Sequence, residues 1–468
     1  MANRNKDLLK NTLVLSIGQF VPKIMALVVL PLLTGYLTKV EYGLYDLTLT
    51  VASFCIPLIS VQIQQAVFRF LIESNSDKKR IVSSSFAFFI VMYIIASVII
   101  VTCWFWYTKR LLLATLFTIS YFFETFLSWS GQVSRGLGRN INFSLSYAIY
   151  SVSFVTFLGG RFIVLQEITL EYVILAMILS YAISILYLFI SCKIWIYISV
   201  ATVDVSELKK LLAFSAPMVI SSVALWIVNL SDRFCVSGFL GLEINAIYAV
   251  ANKIPNLVNS FYSVFNLAWT ENTSRLTEKE KASSYYSSFF HRFYNLLIGM
   301  ILILITATPL LFKILINDQY SDAYGLMAWL YVGVLFSSLV SFLGSIYVGE
   351  KRTKDVGVSS IIGAVINLAI NLLLMKQFGV IVAAISTIVS YFVIFIYRAK
   401  NIRKYVNIQY KYGVIALGIG VVIVLALLNH SFTLMTSIIS IIITIIFNLI
   451  FNRIIMVDIL KKIVKGGK

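Results

Sequence analysis

The chain has 468 residues, of which 60% are apolar and only 12% charged, with a net charge of +18 and a mean hydropathy of +0.91. A soluble core is excluded, because soluble domains carry about a quarter of their residues as charges. The long continuous apolar runs also exclude a transmembrane barrel, whose strands would read as short alternating segments.

The first run follows a basic tail (Arg4, Lys6, Lys10) and covers residues 11–37. It is too long for a signal-peptide core and has no small-residue cleavage site before its end, so a retained first helix is expected. Thirteen further spans follow at about 43–68, 82–107, 111–133, 141–162, 170–193, 209–235, 244–269, 286–311, 322–348, 357–376, 379–398, 410–428 and 432–452. Each suffices to cross a hydrocarbon layer of about 30 Å.

Basic residues sort to one side. With the N-terminus inside, the cytoplasmic segments hold Lys78, Lys79 and Arg80, Arg135 and Arg139, Lys209 and Lys210, Lys279 and Lys281, Lys351, Arg352 and Lys354, Lys400, Arg403 and Lys404, and the tail lysines. The opposite loops keep Lys39, Lys109, Arg110, Arg161, Lys313 and Lys376. This positive-inside bias accounts for the net charge without a nucleic-acid partner and places both termini in the cytoplasm. The outer loops are too short for the external catalytic domain that a glycan polymerase or ligase needs, so no enzyme is expected. Cys55, Cys103, Cys192 and Cys235 have no pairable spacing, His291 and His430 are remote from each other, and neither a disulfide, a metal nor a cofactor is expected.

The sequence repeats. "TGYLTKVEYGLYDL" (34–47) aligns without gaps to "SGFLGLEINAIYAV" (237–250). The repeat spans six helices, and an even number returns the second copy in the same orientation, so a pseudo-twofold axis along the membrane normal is expected. The fold class is therefore all-α and polytopic, with about fourteen helices: an N-lobe over 1–193, a cytoplasmic linker over 194–208, a C-lobe over 209–398, and two extra helices with a basic tail over 399–468. Substrates of such transporters commonly bind where the repeats meet near the midplane.

Polar residues at helical spacing mark faces that avoid lipid. Span 1 carries Thr12, Ser16, Gln19 and Lys23; span 2 carries Asp46, Thr50, Ser53, Ser60 and Gln64, with Gln65 and Arg69 near its inner end. Span 7 contributes Ser215, Ser222, Asn229 and Arg233, and span 8 carries Asn252, Asn256, Asn259, Ser263 and Asn266, flanked by Lys253. Five of the six prolines (Pro22, Pro31, Pro57, Pro217, Pro255) fall in these four spans, where kinks suit alternating access. Many of the hydroxyls and amides serve equally as packing glue. Lys23 differs, because a lysine near a helix centre costs about 3 kcal/mol on insertion; a binding role is favoured over pairing with Asp46 or Glu124. Glu124, on a face with Ser128, Gln132 and Arg135, is either a coupling carboxylate, as Asp46 could be, or a neutralised packing residue. Asp232 and Arg233, adjacent near the outer end of span 7, are read as a local pair fixing a gate helix. The intramembrane charge thus leans cationic through Lys23 and Lys253, with Arg233 and Arg69 toward the mouths, a pattern that attracts phosphate rather than cationic drugs.

Three stretches carry a family resemblance: "LPLLTGYLTKVEYGLYDL" (30–47), "DRFCVSGFLGLEINAIYAVANKIP" (232–255), and "INLAINLLLMKQFGVIVAAISTIVS" (366–390) with its Asn-x3-Asn and Phe-Gly-x3-Ala-Ala-x-Ser-Thr pattern. In them the chain resembles the Wzx-type flippases of the MOP superfamily (multidrug, oligosaccharidyl-lipid and polysaccharide exporters). The resemblance implies a MATE-like fold and a substrate of undecaprenyl-pyrophosphate-linked oligosaccharide, moved across the bacterial plasma membrane for capsule, O-antigen or related glycans. It further implies a pyrophosphate contacted by Lys23, Arg69 and Lys253, and membrane lipids, glycosyltransferases and a polysaccharide polymerase as partners. The chain departs from the lipid II flippase branch, whose first helix carries paired arginines where this one has a single lysine. A cation-coupled multidrug antiporter of the same fold is the second reading; it should concentrate carboxylates inside its lobes, and the chain offers chiefly Asp46 and Glu124.

Overall fold

The computed structural model describes residues 21–73, 77–275, 279–350, 352–429 and 434–453. Its helices are α1 (Val21–Tyr36), α2 (Lys39–Ser60), α3 (Ile63–Leu71), α4 (Lys78–Thr108), α5 (Leu111–Gly136), α6 (Asn140–Leu165), α7 (Leu170–Cys192) and α8 (Val205–Leu240). They continue with α9 (Leu242–Ala251), α10 (Asn256–Arg275), α11 (Lys279–Leu315), α12 (Ala323–Gly349), α13 (Thr353–Phe378), α14 (Ile381–Asn401), α15 (Tyr412–Leu428) and α16 (Leu434–Phe451). Among the described residues, nine helices are long and apolar enough to cross a membrane. The chain is an all-helical, multi-pass membrane protein.

Among the described residues each expected span has its helix, but spans 2 and 8 are divided rather than merely kinked. Pro57 removes one backbone bond inside α2, and one turn later Val61 and Gln62 adopt left-handed conformations, φ 47° and 54°. A β-branched residue there is strained by on the order of 1–2 kcal/mol. The break is held open by Ser60, whose hydroxyl donates to Ile56 O (2.8 Å) and accepts from the Gln62 amide (3.2 Å). Gln62 Nε2 in turn donates to Ser222 Oγ of α8 at 2.9 Å. In span 8 the break lies at Asn252–Pro255, where the ring of Pro255 disfavours helix at the preceding residue.

The repeat appears in the helix boundaries. α2 and α9 begin at aligned positions, Lys39 and Leu242. The two junctions solve the turn differently. Thr38 caps α2 by accepting from the Glu41 amide while Glu41 reaches back to Thr38; at α9 the same place is Gly241 with φ 91°, a conformation glycine adopts without a Cβ penalty.

The chain clusters into two compact units dividing at Ile227/Val228, inside α8. In the first unit, Phe89, Phe122, Phe126 and Trp129 stack between α4 and α5. Residues 194–204 lie along the start of α4: the Ser83 hydroxyl donates to Tyr197 O (2.9 Å) and accepts from the Ser199 amide (3.0 Å), and Ser84 Oγ accepts from the Asp204 amide (2.9 Å). Hydrogen bonds from Ser206 hold the half-buried Asp204 carboxyl below the ordinary aspartate range, with Arg80 adding to the effect. A depressed carboxyl stabilises above its unfolded pKa of about 4 and loses that contribution as the pH falls through the lower, folded value. Proteolysis within 194–210 should therefore accelerate on acidification below about pH 4, and Asp204→Asn should remove that pH dependence.

In the second unit, Trp269 stacks on Phe289 and Phe342 with centroids 4.4 Å and 4.6 Å apart. α16 docks on α11 through Thr306–Thr444 (2.8 Å) and Asn452 Nδ2 donating to Asn295 O (2.9 Å). Arg398, 4% exposed, ties α14 to α12 and α13 by donating to Val340 O (2.8 Å) and to Ser359 and Ser360. α10 and α12 touch backbone to backbone near Gly349, where an added Cβ would meet Thr273 O at 2.7 Å. Gly349→Ala should push these helices apart and destabilise the protein by about 1–3 kcal/mol, as overpacking does, read as a lower melting temperature in detergent.

Candidate functional site

The second unit holds a cavity of about 270 Å³ whose lining is unusually polar for a membrane protein: Asp232, Arg233, Tyr248, Asn252, Asn256, Asn259, Ser337, Thr387 and Tyr391, against Leu330, Gly333 and Val334. The local folding explains how these side chains converge. Asn252, Asn256 and Asn259 stand at i, i+4 and i+7, and the Asn256 amide donating to Asn252 O at 3.0 Å keeps that register across the α9–α10 turn, so all three face the same space. α12 faces α14 here, with Gly333 opposite Thr387. Asn259 Nδ2 donates to Asn256 Oδ1 at 2.9 Å, its own oxygen accepts from Ser337 Oγ at 3.4 Å, and Asn252 Nδ2 donates to Tyr248 O at 2.8 Å.

Beside the cavity lies a buried hydrogen-bond cluster centred on Asp232, which is 5% exposed. Its carboxylate accepts from Asn371 Nδ2 (2.6 Å), Thr387 Oγ1 (2.6 Å) and the Tyr248 hydroxyl (3.2 Å). Asn367 Oδ1 accepts from Asn371 Nδ2 (3.1 Å) and Ser231 Oγ (3.2 Å), and its amide donates to Ser386 Oγ (3.2 Å), which donates to Asn371 Oδ1 (3.1 Å). Four helices, α8, α9, α13 and α14, are thus joined around one carboxylate. Such a satisfied network fixes the cavity wall, since leaving any of these buried groups unpaired is costly.

Of the residues expected at the site, Asn252, Asn256, Asn259, Asp232 and Arg233 come together at this cavity. Lys253 is half-buried in the α9–α10 turn and does not line it. Asn266 serves packing instead, accepting from Ser345 Oγ at 2.7 Å and the Tyr262 hydroxyl at 2.9 Å. In the first unit, Lys23 is half-buried on α1 and Asp46 is buried on α2. Glu124 on α5 is within hydrogen-bonding reach of the Tyr181 hydroxyl, with Tyr45 and Tyr150 nearby. Arg69, on the exposed face of α3, is ion-paired to Glu73 at 3.0 Å. Gln19 lies outside the described residues. Several hydroxyls of span 2 turn back on their own helix, Thr50 to Asp46 O (2.9 Å) and Ser60 to Ile56 O (2.8 Å), the packing role such groups commonly take.

Sequence reasoning did not single out Ser231, Tyr248, Ser337, Thr387 or Tyr391, nor the structural role of Asn367, Asn371 and Ser386. A signal was available: Asn367 and Asn371 stand one turn apart in an otherwise apolar helix, and the Ser386–Thr387 pair follows a Phe-Gly turn at Phe378–Gly379. Chemically, the cavity offers amides and hydroxyls that both donate and accept, two phenol rings, and one guanidinium beside the Asp232 carboxylate. That is a set suited to hydroxyl-rich groups.

Residues 8–270 match the family described as "Polysaccharide biosynthesis protein". An uncharacterized membrane protein of Methanocaldococcus jannaschii is 28% identical over 207 residues; the match spans 43% of this chain and 41% of that relative, less than half of its length. Among solved structures, the lipid II flippase MurJ in an inward closed conformation superposes with a TM-score of 0.69 at 16% identity, covering 96% of this chain and all of that one. An inward-facing multidrug resistance MATE family transporter of the MOP superfamily gives 0.61 at 16% identity, covering 84% of this chain and 95% of its own. These likenesses establish a shared fold.

Proposed function

Because the chain belongs to the polysaccharide biosynthesis protein family, we propose that it is a transporter that flips polyprenyl-pyrophosphate-linked oligosaccharide from the cytoplasmic to the outer leaflet of a bacterial plasma membrane. The observation that carries this reading is the polar cavity of the second unit, buried among apolar helices yet lined by three asparagines, hydroxyls and Arg233. Sugar hydroxyls exchange hydrogen bonds with amides and hydroxyls at little net cost, which a bare apolar channel would not allow. Lys23 and Lys253 supply the positive charge we assign to the pyrophosphate, and the polyprenyl tail stays in lipid. The breaks at Val61–Gln62 and Asn252–Pro255 let segments of the helices swing while the rest stays packed, which serves alternating access.

The second reading, a cation-coupled multidrug antiporter, draws on the buried Asp46 and on Glu124. The two differ in one strain. Cells lacking the protein should accumulate lipid-linked oligosaccharide in the inner leaflet and lose surface glycan, with unchanged susceptibility to hydrophobic cations. Intact surface glycan together with raised drug susceptibility would favour the antiporter and overturn the flippase reading.

A further inference from the structure

A second pocket, of about 310 Å³, opens in the first unit where the ends of α3 and α5 meet the start of α4; its lining includes Glu73, Lys78, Arg135 and the turn Gly136–Gly138. By the bias of basic loops, this end of the unit faces the cytoplasm. Two glycines shape it. Gly136 lets α5 close on α3, since an added Cβ would lie 2.6 Å from Leu71 Cβ, and Gly138 turns the chain with φ 80°.

Arg135 is the centre of this pocket and is held in an unusual way. Its guanidinium lies 4.3 Å from the ring of Phe68 and 5.2 Å from that of Phe143, so two aromatic faces clamp it. Nη1 donates to Gln132 Oε1 at 3.1 Å, and the buried Nε has no hydrogen-bond partner. Among the described residues no carboxylate lies within ion-pair distance of it, and Glu73, the acid on the pocket wall, is already paired with Arg69. A cation thus fixed in place, unneutralised and joined by Lys78, meets an anion without first giving up a carboxylate or losing much side-chain freedom.

We infer that this pocket is a cytoplasmic docking site for the phosphate headgroup of a membrane lipid, and specifically for the pyrophosphate of the flippase substrate before it enters the transport route. The inference rests on the flippase reading for the identity of the lipid. The chemistry favours phosphate: a planar guanidinium makes paired hydrogen bonds to phosphate oxygens, the site lies at the membrane edge where headgroups sit, and Lys78 adds a second charge suited to a diphosphate.

The test is binding of polyprenyl pyrophosphate to the full-length protein in nanodiscs, with phosphatidylglycerol as the competing headgroup. Wild type should bind the pyrophosphate lipid at least about tenfold more tightly than Arg135→Gln, the size expected for losing a charge-assisted pair. Arg135→Lys should recover only part of the loss, because charge without the fork geometry is a weaker partner. If Arg135→Gln proves unstable, Lys78→Gln carries the comparison, since its exposed side chain is not needed for packing. Equal affinity in wild type and the glutamine variants overturns the docking site while leaving the flippase reading intact. Tight Arg135-dependent binding of phosphatidylglycerol that polyprenyl pyrophosphate does not displace overturns it in favour of a general lipid site. No binding of polyprenyl pyrophosphate to wild type would contradict the flippase reading itself.

Discussion

Asp232→Ala is expected to be among the most damaging single substitutions in the second unit. Three donors, from Asn371, Thr387 and Tyr248, converge on this carboxylate. Removing it leaves them without their shared acceptor. A buried group left unpaired costs about 1–3 kcal/mol, and here three neutral donors lose their acceptor at once. The melting temperature in detergent should fall markedly and transport should be lost with it. Asp232→Asn keeps one acceptor oxygen but sets a new donor against existing donors, so an intermediate loss is expected. An unchanged melting temperature for Asp232→Ala would show that the cluster does not hold α8, α9, α13 and α14 together.

The second large effect concerns the lysines. Lys23→Ala or Lys253→Ala should abolish surface glycan while the protein stays in the membrane at normal abundance. On the flippase reading we propose, each lysine would supply a charge-assisted contact to the pyrophosphate, worth about 1.5–3 kcal/mol. For Lys23, near a helix centre, removal also relieves an insertion cost of about 3 kcal/mol. This combination separates the pair from Asp232: one class loses function with stability retained, the other loses both. Normal glycan in both lysine variants would contradict the assignment of the anion site.

Much of this architecture is legible in the sequence because membrane helices obey few rules. Length and hydropathy locate every span, and the gapless match of residues 34–47 to 237–250 foretells that α2 and α9 start at equivalent positions. The asparagine face of span 8 likewise foretells three of the residues that line the cavity. What escapes is tertiary. Nothing local in "IPLISVQIQ" says that Val61 and Gln62 turn left-handed, because the break depends on Ser60 and on Ser222 from a helix some 160 residues away. Span 8 reads as one helix because its asparagines keep helical spacing across Pro255, and a proline there is compatible with a kink as well as a break. Asp232 and Arg233 read as a local pair from their adjacency; the further contact of the carboxylate with an asparagine of α13, and the place of both side chains on the cavity wall, are tertiary. The cluster is built from residues 231, 248, 367, 371, 386 and 387, whose proximity no periodicity encodes. The residues 194–204 show the same limit, since their hold on Ser83 and Ser84 spans more than a hundred positions.

The most direct test reconstitutes the purified protein in liposomes carrying polyprenyl-pyrophosphate-linked oligosaccharide and follows the saccharide's access to a lectin added outside. The account predicts that wild-type protein equilibrates the lipid between leaflets far faster than protein-free liposomes, and that Lys23→Ala, Lys253→Ala and Asp232→Ala return the rate toward that background. A wild-type rate equal to that of protein-free liposomes, from protein that is folded and moves hydrophobic cations, would contradict it.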